Sequence, residues 1–215
     1  MRSSVPIRTS AAAGVLGLCL TTVACGRSSG GDPPAPATST GETTASISAT
    51  GAPLDLGAEI RTEVTAAQKR YFDAYRAAAA NPRDQALVAA LRAVYTDQSV
   101  SGENVRGRMA YFAEHGYVAR PDARSYYVIE DITIDALPPA GRAVTVVCGY
   151  TTDPVIDGVN RAPDGKDIVV NDTPASARTR TTWIQQLDGE WKINDGVIVD
   201  SWEGENRCPP RPAAS

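Results

Sequence analysis

The chain has 215 residues, with 21 Lys and Arg against 25 Asp and Glu, a single His and four Cys. One imidazole excludes any metal site that needs two, and a formal charge of −4 with a pI near 5.1 argues against a nucleic-acid-binding surface. The length holds one ordinary domain with chain to spare. All the aromatic residues, three Trp, eight Tyr and two Phe, fall between Tyr71 and Trp202, so the first 70 residues bring no large ring to a core.

In chain order, residues 1–24 read as an export signal. Arg2 and Arg8 make a positive start, and Ala11 to Ala24 is an uncharged, mainly apolar run, shorter than the ~20 residues that span a bilayer. It ends in Thr22-Val23-Ala24-Cys25-Gly26. This sequence resembles the lipobox of bacterial lipoproteins, with Thr22 where that family usually has Leu, Val or Ile. The resemblance implies cleavage before Cys25, a diacylglycerol with palmitate-type chains joined to its sulfur by a thioether, and attachment at the extracytoplasmic face of the cell membrane. Two or more acyl chains hold firmly, at about 0.8 kcal/mol per buried CH₂. The excess of Arg over Lys points to a GC-rich, actinobacterial source.

Residues 25–57 are rich in Gly, Pro, Ser, Thr and Ala, too poor in bulky apolar groups to order themselves. They are expected to form a tether with an r.m.s. reach of ~30 Å. The folded domain is expected over 58–208, with a loose tail at 209–215. With Cys19 removed and Cys25 acylated, Cys148 and Cys208 remain in an oxidising compartment, either as one disulfide or as two free thiols.

From Ala58 to Ala80, Ile60, Val64, Ala67, Tyr71, Tyr75 and Ala78 recur at steps of three and four and predict a long helix. Asn81-Pro82 reads as the cap and first residue of a second helix carrying Leu87, Leu91, Val94 and Tyr95. Val105, Met109 and Phe112 mark a third helix, closing near His115-Gly116. Beyond Pro121 the period falls to two. Strands are predicted over Tyr126 to Ile134, Val144 to Tyr150, Ala177 to Leu187 and Glu190 to Val199, the last two joined by a two-residue turn at Asp188-Gly189. Three helices followed by an antiparallel sheet of about four main strands make an α+β domain.

The element order, with Tyr71-Phe72-Asp73-Ala74-Tyr75, Val94-Tyr95-Thr96-Asp97 and Asp188-Gly189-Glu190-Trp191-Lys192-Ile193, resembles the NTF2-like, cystatin-like cone superfamily over roughly residues 60–200. The resemblance implies a curved sheet wrapped on the helices around an apolar conical cavity, with Tyr71, Tyr75, Tyr126 and Trp191 as expected lining. The long segment from Asp153 to Ser176 departs from that pattern.

Parity across the Asp188-Gly189 turn pairs Ile184 with Ile193 and Thr182 with Asp195, and puts Asp195 on the apolar face with Trp191 and Ile193. Glu130 shares parity with Tyr126, Val128, Ile132 and Ile134. Either carboxylate, if desolvated there, would be a general acid or base. Alternatively, a bulge at Asn194-Asp195-Gly196 turns Asp195 outward, and Glu130 pairs with an arginine. His115 suits a helix C-terminus. The aspartates of the 153–172 segment fit no EF-hand spacing and read as a solvated loop, and no metal or cofactor is expected. Trp183 is expected on the outer sheet face, as a contact for a homodimer or envelope protein partner or under the 153–176 segment. Two functions follow: binding of a small apolar ligand or protein partner without catalysis, or proton transfer on a hydrophobic small molecule.

Overall fold

The computed structural model describes residues 55–210. The expected export signal, Cys25, the expected tether up to residue 54 and the expected tail from 211 lie outside them. The described chain runs α1 (Leu56–Ala80), α2 (Gln85–Ala93), α3 (Val100–His115), β1 (Tyr117–Ala119), β2 (Tyr126–Ala136), β3 (Arg142–Thr151), β4 (Val155–Arg161), β5 (Asp167–Asn171), β6 (Ala175–Gln185) and β7 (Trp191–Glu203). Two antiparallel sheets result, ordered β2-β3-β6-β7 and β1-β4-β5.

The stripe on α1 packs as its spacing predicts: Ile60, Val64, Ala67 and Ala78 are buried, and Tyr71 and Tyr75 lean on the same core. The helix starts two residues inside the expected tether because Asp55 caps it, its carboxylate accepting from the Ala58 N–H at 3.1 Å. The expected start of α2 at Asn81-Pro82 is corrected. Asn81 ends α1, its N–H donating to the Ala77 and Ala78 carbonyls, and Asp84 caps α2 by accepting from the Ala86 and Leu87 N–H groups. α3 begins at Val100, capped by Ser99, and stops at Gly116, whose φ of 72° lies in the left-handed region that glycine enters freely.

The segment expected to be a solvated loop is instead a hairpin. β4 and β5 pair with each other, and β4 pairs with β1. Its acids are engaged: Asp157 accepts from the Val159 and Asn160 N–H groups, Asp164 meets Lys166, and Asp167 meets Arg120 and Arg161. Among the described residues no three acidic, His or Cys side chains gather to hold a metal.

The turn between β6 and β7 is also corrected, and two of the sheet's four register shifts bear on the candidate acids. The Gly189 N–H donates to the Gln186 carbonyl and the Gln186 N–H to the Glu190 carbonyl, so the loop has three residues and Gly189 takes φ 87°. Trp183, in place of the expected Ile184, therefore faces Ile193, and Ile184 faces Lys192. A bulge at Asn194 then restores the expected pairing of Thr182 with Asp195. β2 carries a second bulge at Glu130, between the Ile129 and Asp131 pairings. Parity resets there: Val128 lies opposite Cys148, whereas Ile132 and Ile134 lie opposite Thr145 and Ala143 on the helix side.

The corrected register buries Trp183 completely in the core, where its indole N–H donates to the Thr145 hydroxyl at 3.0 Å. It is not on the outer face. After β7 the chain crosses the face opposite the helices, where Cys208 forms a disulfide with Cys148 and the Ser176 hydroxyl donates to the Glu205 carbonyl. Pro209, placed in the loose tail by sequence, accepts from the Tyr126 hydroxyl at 3.0 Å.

Candidate functional site

A cavity of about 420 Å³ opens between α1, α3 and the inner face of the four-stranded sheet. α1 contributes Gln68, Tyr71, Phe72 and Tyr75, four residues within two turns that share the helix face turned to the sheet. α3 contributes Ser101, Asn104, Val105 and Arg108, spaced i, i+3, i+4, i+7 along one face. The strands contribute Val147, Gly149, Thr179, Thr181, Ile193 and Ile198, and Tyr95 closes one side.

Of the expected lining residues, Tyr71, Tyr75 and Tyr126 border the cavity and Trp191 does not. Trp191 is buried in the core opposite Gln185, its indole N–H donating to Glu63 at 2.8 Å. The two candidate acids are outside as well. Glu130, the extra residue of its bulge, forms two hydrogen bonds with Arg178, which hold its carboxyl below the usual glutamate range. Asp195, just past its own bulge, is exposed and accepts from the Ser101 hydroxyl at 2.9 Å. Both bulges rotate an acid that simple alternation puts on the apolar face. His115 lies at the end of α3, its Nδ1 2.9 Å from the Tyr111 carbonyl and its ring against Tyr111, and takes no part in the cavity.

The polar groups of the wall form a small network. Arg108 donates to the Tyr75 hydroxyl at 3.1 Å. Tyr71 lies edge-on to Tyr95 with ring centroids 5.9 Å apart, and 6.2 Å from Tyr75. Burial is the main cause that raises Tyr71 and Tyr95 above the ordinary phenol range, so both stay neutral and protonated. Gln68 is buried beside them. The described wall carries no carboxylate, imidazole, thiol or ammonium. Its hydroxyls, amides and one guanidinium can orient a bound molecule and donate hydrogen bonds, and none of them is a base at neutral pH.

Sequence reasoning missed Gln68, Ser101, Asn104 and Arg108. The signal was the mixed polar face of α3, which repeats at helical spacing beside the Met109 stripe and reads by itself as a solvated surface.

No family model matches the chain, and no curated protein matches it. Solved structures of similar shape include the intermembrane space region of the chloroplast protein ARC6, at 17% identity and a TM-score of 0.43 over 64% of this chain and 94% of that one. A ketosteroid isomerase-like protein from Erwinia carotovora atroseptica matches at 15% identity and a TM-score of 0.42, over 65% of this chain and 95% of that one. Aln2 from a Streptomyces species matches at 13% and 0.35, over 65% and 89%.

Proposed function

We propose that this chain is a lipid-anchored envelope protein whose α+β domain takes up a small, largely apolar ligand in the cavity beneath α1 and α3 and holds it without chemical conversion. The composition of the cavity wall carries the ligand reading. Aromatic and aliphatic side chains supply its breadth, a few hydroxyls and amides supply directional contacts, and neither candidate acid lines it. At ~30 Å³ per water-sized atom, the space suits a ligand of about 14 non-hydrogen atoms.

Gly149 supports the reading from the backbone. It sits within β3, opposite Ala177, and a Cβ at its position would meet nothing within 4 Å. A glycine inside a strand weakens it, and here it leaves open space on the cavity side. The lipobox-like Cys25 and the tether after it support a place near the membrane, with the domain free of the headgroups.

The test is a calorimetric titration of the full chain with 2-naphthamide, an uncharged two-ring probe of suitable size. Saturable binding is expected, and Gly149→Leu, whose Cβ enters open space, is expected to abolish it without lowering the unfolding midpoint. Binding indifferent to Gly149→Leu overturns the ligand reading, as does failure of both this probe and its carboxylate analogue 2-naphthoate to bind. Mass spectrometry of the membrane-extracted protein is expected to find acylated Cys25 at the N-terminus, and a free thiol there overturns the anchor.

A further inference from the structure

Arg108 is the one guanidinium on the described cavity wall, and no described carboxylate lies within ion-pair distance of it. This sets it apart from its surroundings on α3, where Arg106 is paired with Glu103. The hydrogen bond it makes runs from Nη1 to the Tyr75 hydroxyl, where the oxygen is the acceptor. Tyr75 therefore keeps its own proton to give. Tyr71, whose phenol burial holds above the ordinary range, keeps its proton as well. The polar corner of the cavity thus offers a cation and two hydroxyl donors around adjoining rings. A ligand acceptor is what this corner lacks.

Arg108 is exposed at the mouth of the cavity with the apolar wall on its inner side, so an anion there meets the guanidinium with solvent screening weakened from one side only. Its planar fork matches a carboxylate, and one positive charge neutralises one carboxylate, whereas a phosphate dianion would keep a charge unpaired. Resting on the ligand-binding reading above, we propose that the cavity selects monocarboxylates with an apolar body, the carboxylate held by Arg108 and Tyr75 and the body lying over Tyr71, Tyr95, Val147 and Ile193.

The experiment compares 2-naphthoate with 2-naphthamide, which share shape and differ in charge, by calorimetric titration of the full chain. Naphthoate is expected to bind about tenfold or more tightly, as a charge-assisted hydrogen bond at a partly dry site allows. The advantage should shrink as salt is raised, since the mouth of the site is open to solvent. Arg108→Gln is expected to bring the two affinities within about twofold of each other, and Arg108→Lys to keep part of the difference. Equal affinities in the unaltered protein overturn the carboxylate proposal and leave the ligand reading intact, as does an advantage that survives Arg108→Gln. If neither compound binds, both fall. The salt series on the unaltered protein keeps the test independent of how any variant folds.

Discussion

Glu130 is held by geometry that favours its ionised form. Arg178 donates from Nε and Nη2 to the two carboxylate oxygens, at 2.6 and 3.0 Å, and its guanidinium also reaches Asp200 at 3.2 Å and lies over the Trp202 ring. The first cause of the lowered Glu130 pKa is this hydrogen bonding, which outweighs the opposing effect of partial burial. A carboxyl depressed in the folded state adds stability above its unfolded pKa, and the contribution fades as pH falls through the folded value. Glu130→Gln is therefore expected to cost about 1 kcal/mol at neutral pH, with the gap closing below the ordinary glutamate range. Urea unfolding at neutral and acidic pH reads this directly. An equal loss at both would show that shape, not charge, holds the pair. Naphthamide binding should be unaffected, because Glu130 does not line the cavity.

Turns and caps carry the next level. Gly116 and Gly189 both adopt positive φ, 72° and 87°, yet their surroundings differ. A Cβ at Gly116 would stand 2.6 Å from Val159 Cγ2, whereas one at Gly189 would meet nothing within 4 Å. Gly189→Ala is expected to cost ~1–2 kcal/mol for the left-handed backbone alone. Gly116→Ala should cost clearly more, since it also pushes the β4–β5 hairpin from the end of α3, where the Gly158 N–H donates to the Gly116 carbonyl. Chemical denaturation of the two variants side by side measures the difference, and equal losses would mean that the hairpin yields freely. At this scale the helices were largely legible. The α1 stripe, the Gly116 stop and the change of period beyond Pro121 are local patterns. The cap at Asp84 was missed because Asn81-Pro82 reads as a cap followed by proline at the first helical position, whereas the closing turn of α1 claims Asn81.

For the whole molecule, the Cys148–Cys208 disulfide joins β3 to the segment after β7 across 60 residues of sequence. Chain entropy for a loop of that size gives up to ~4 kcal/mol. Reduction with dithiothreitol is expected to lower the unfolding midpoint markedly, with Cys208→Ser matching it, and loss of less than ~1 kcal/mol would show that the unfolded chain gains little freedom. The same segment touches residues that border the cavity, through Tyr126 with Pro209 and Ser176 with Glu205. Among the described residues, no helix is long and apolar enough to cross a membrane, and the proposed attachment rests on Cys25 alone.

The sequence by itself determined what depends on near neighbours or on elimination: the three helices, the four strands of the larger sheet, the presence of a turn at Gly189, and a pairing of Cys148 with Cys208 as one of two outcomes. Only the tertiary structure decided which way the strands face beyond Glu130 and Asn194. Alternation runs at period two until one extra residue enters a strand, and where that residue enters is set by how the sheet must bend against its helices. Those two bulges, with the three-residue turn, sent both acids outward and Trp183 inward, and left the cavity to Tyr71, Tyr75, Tyr95 and Arg108.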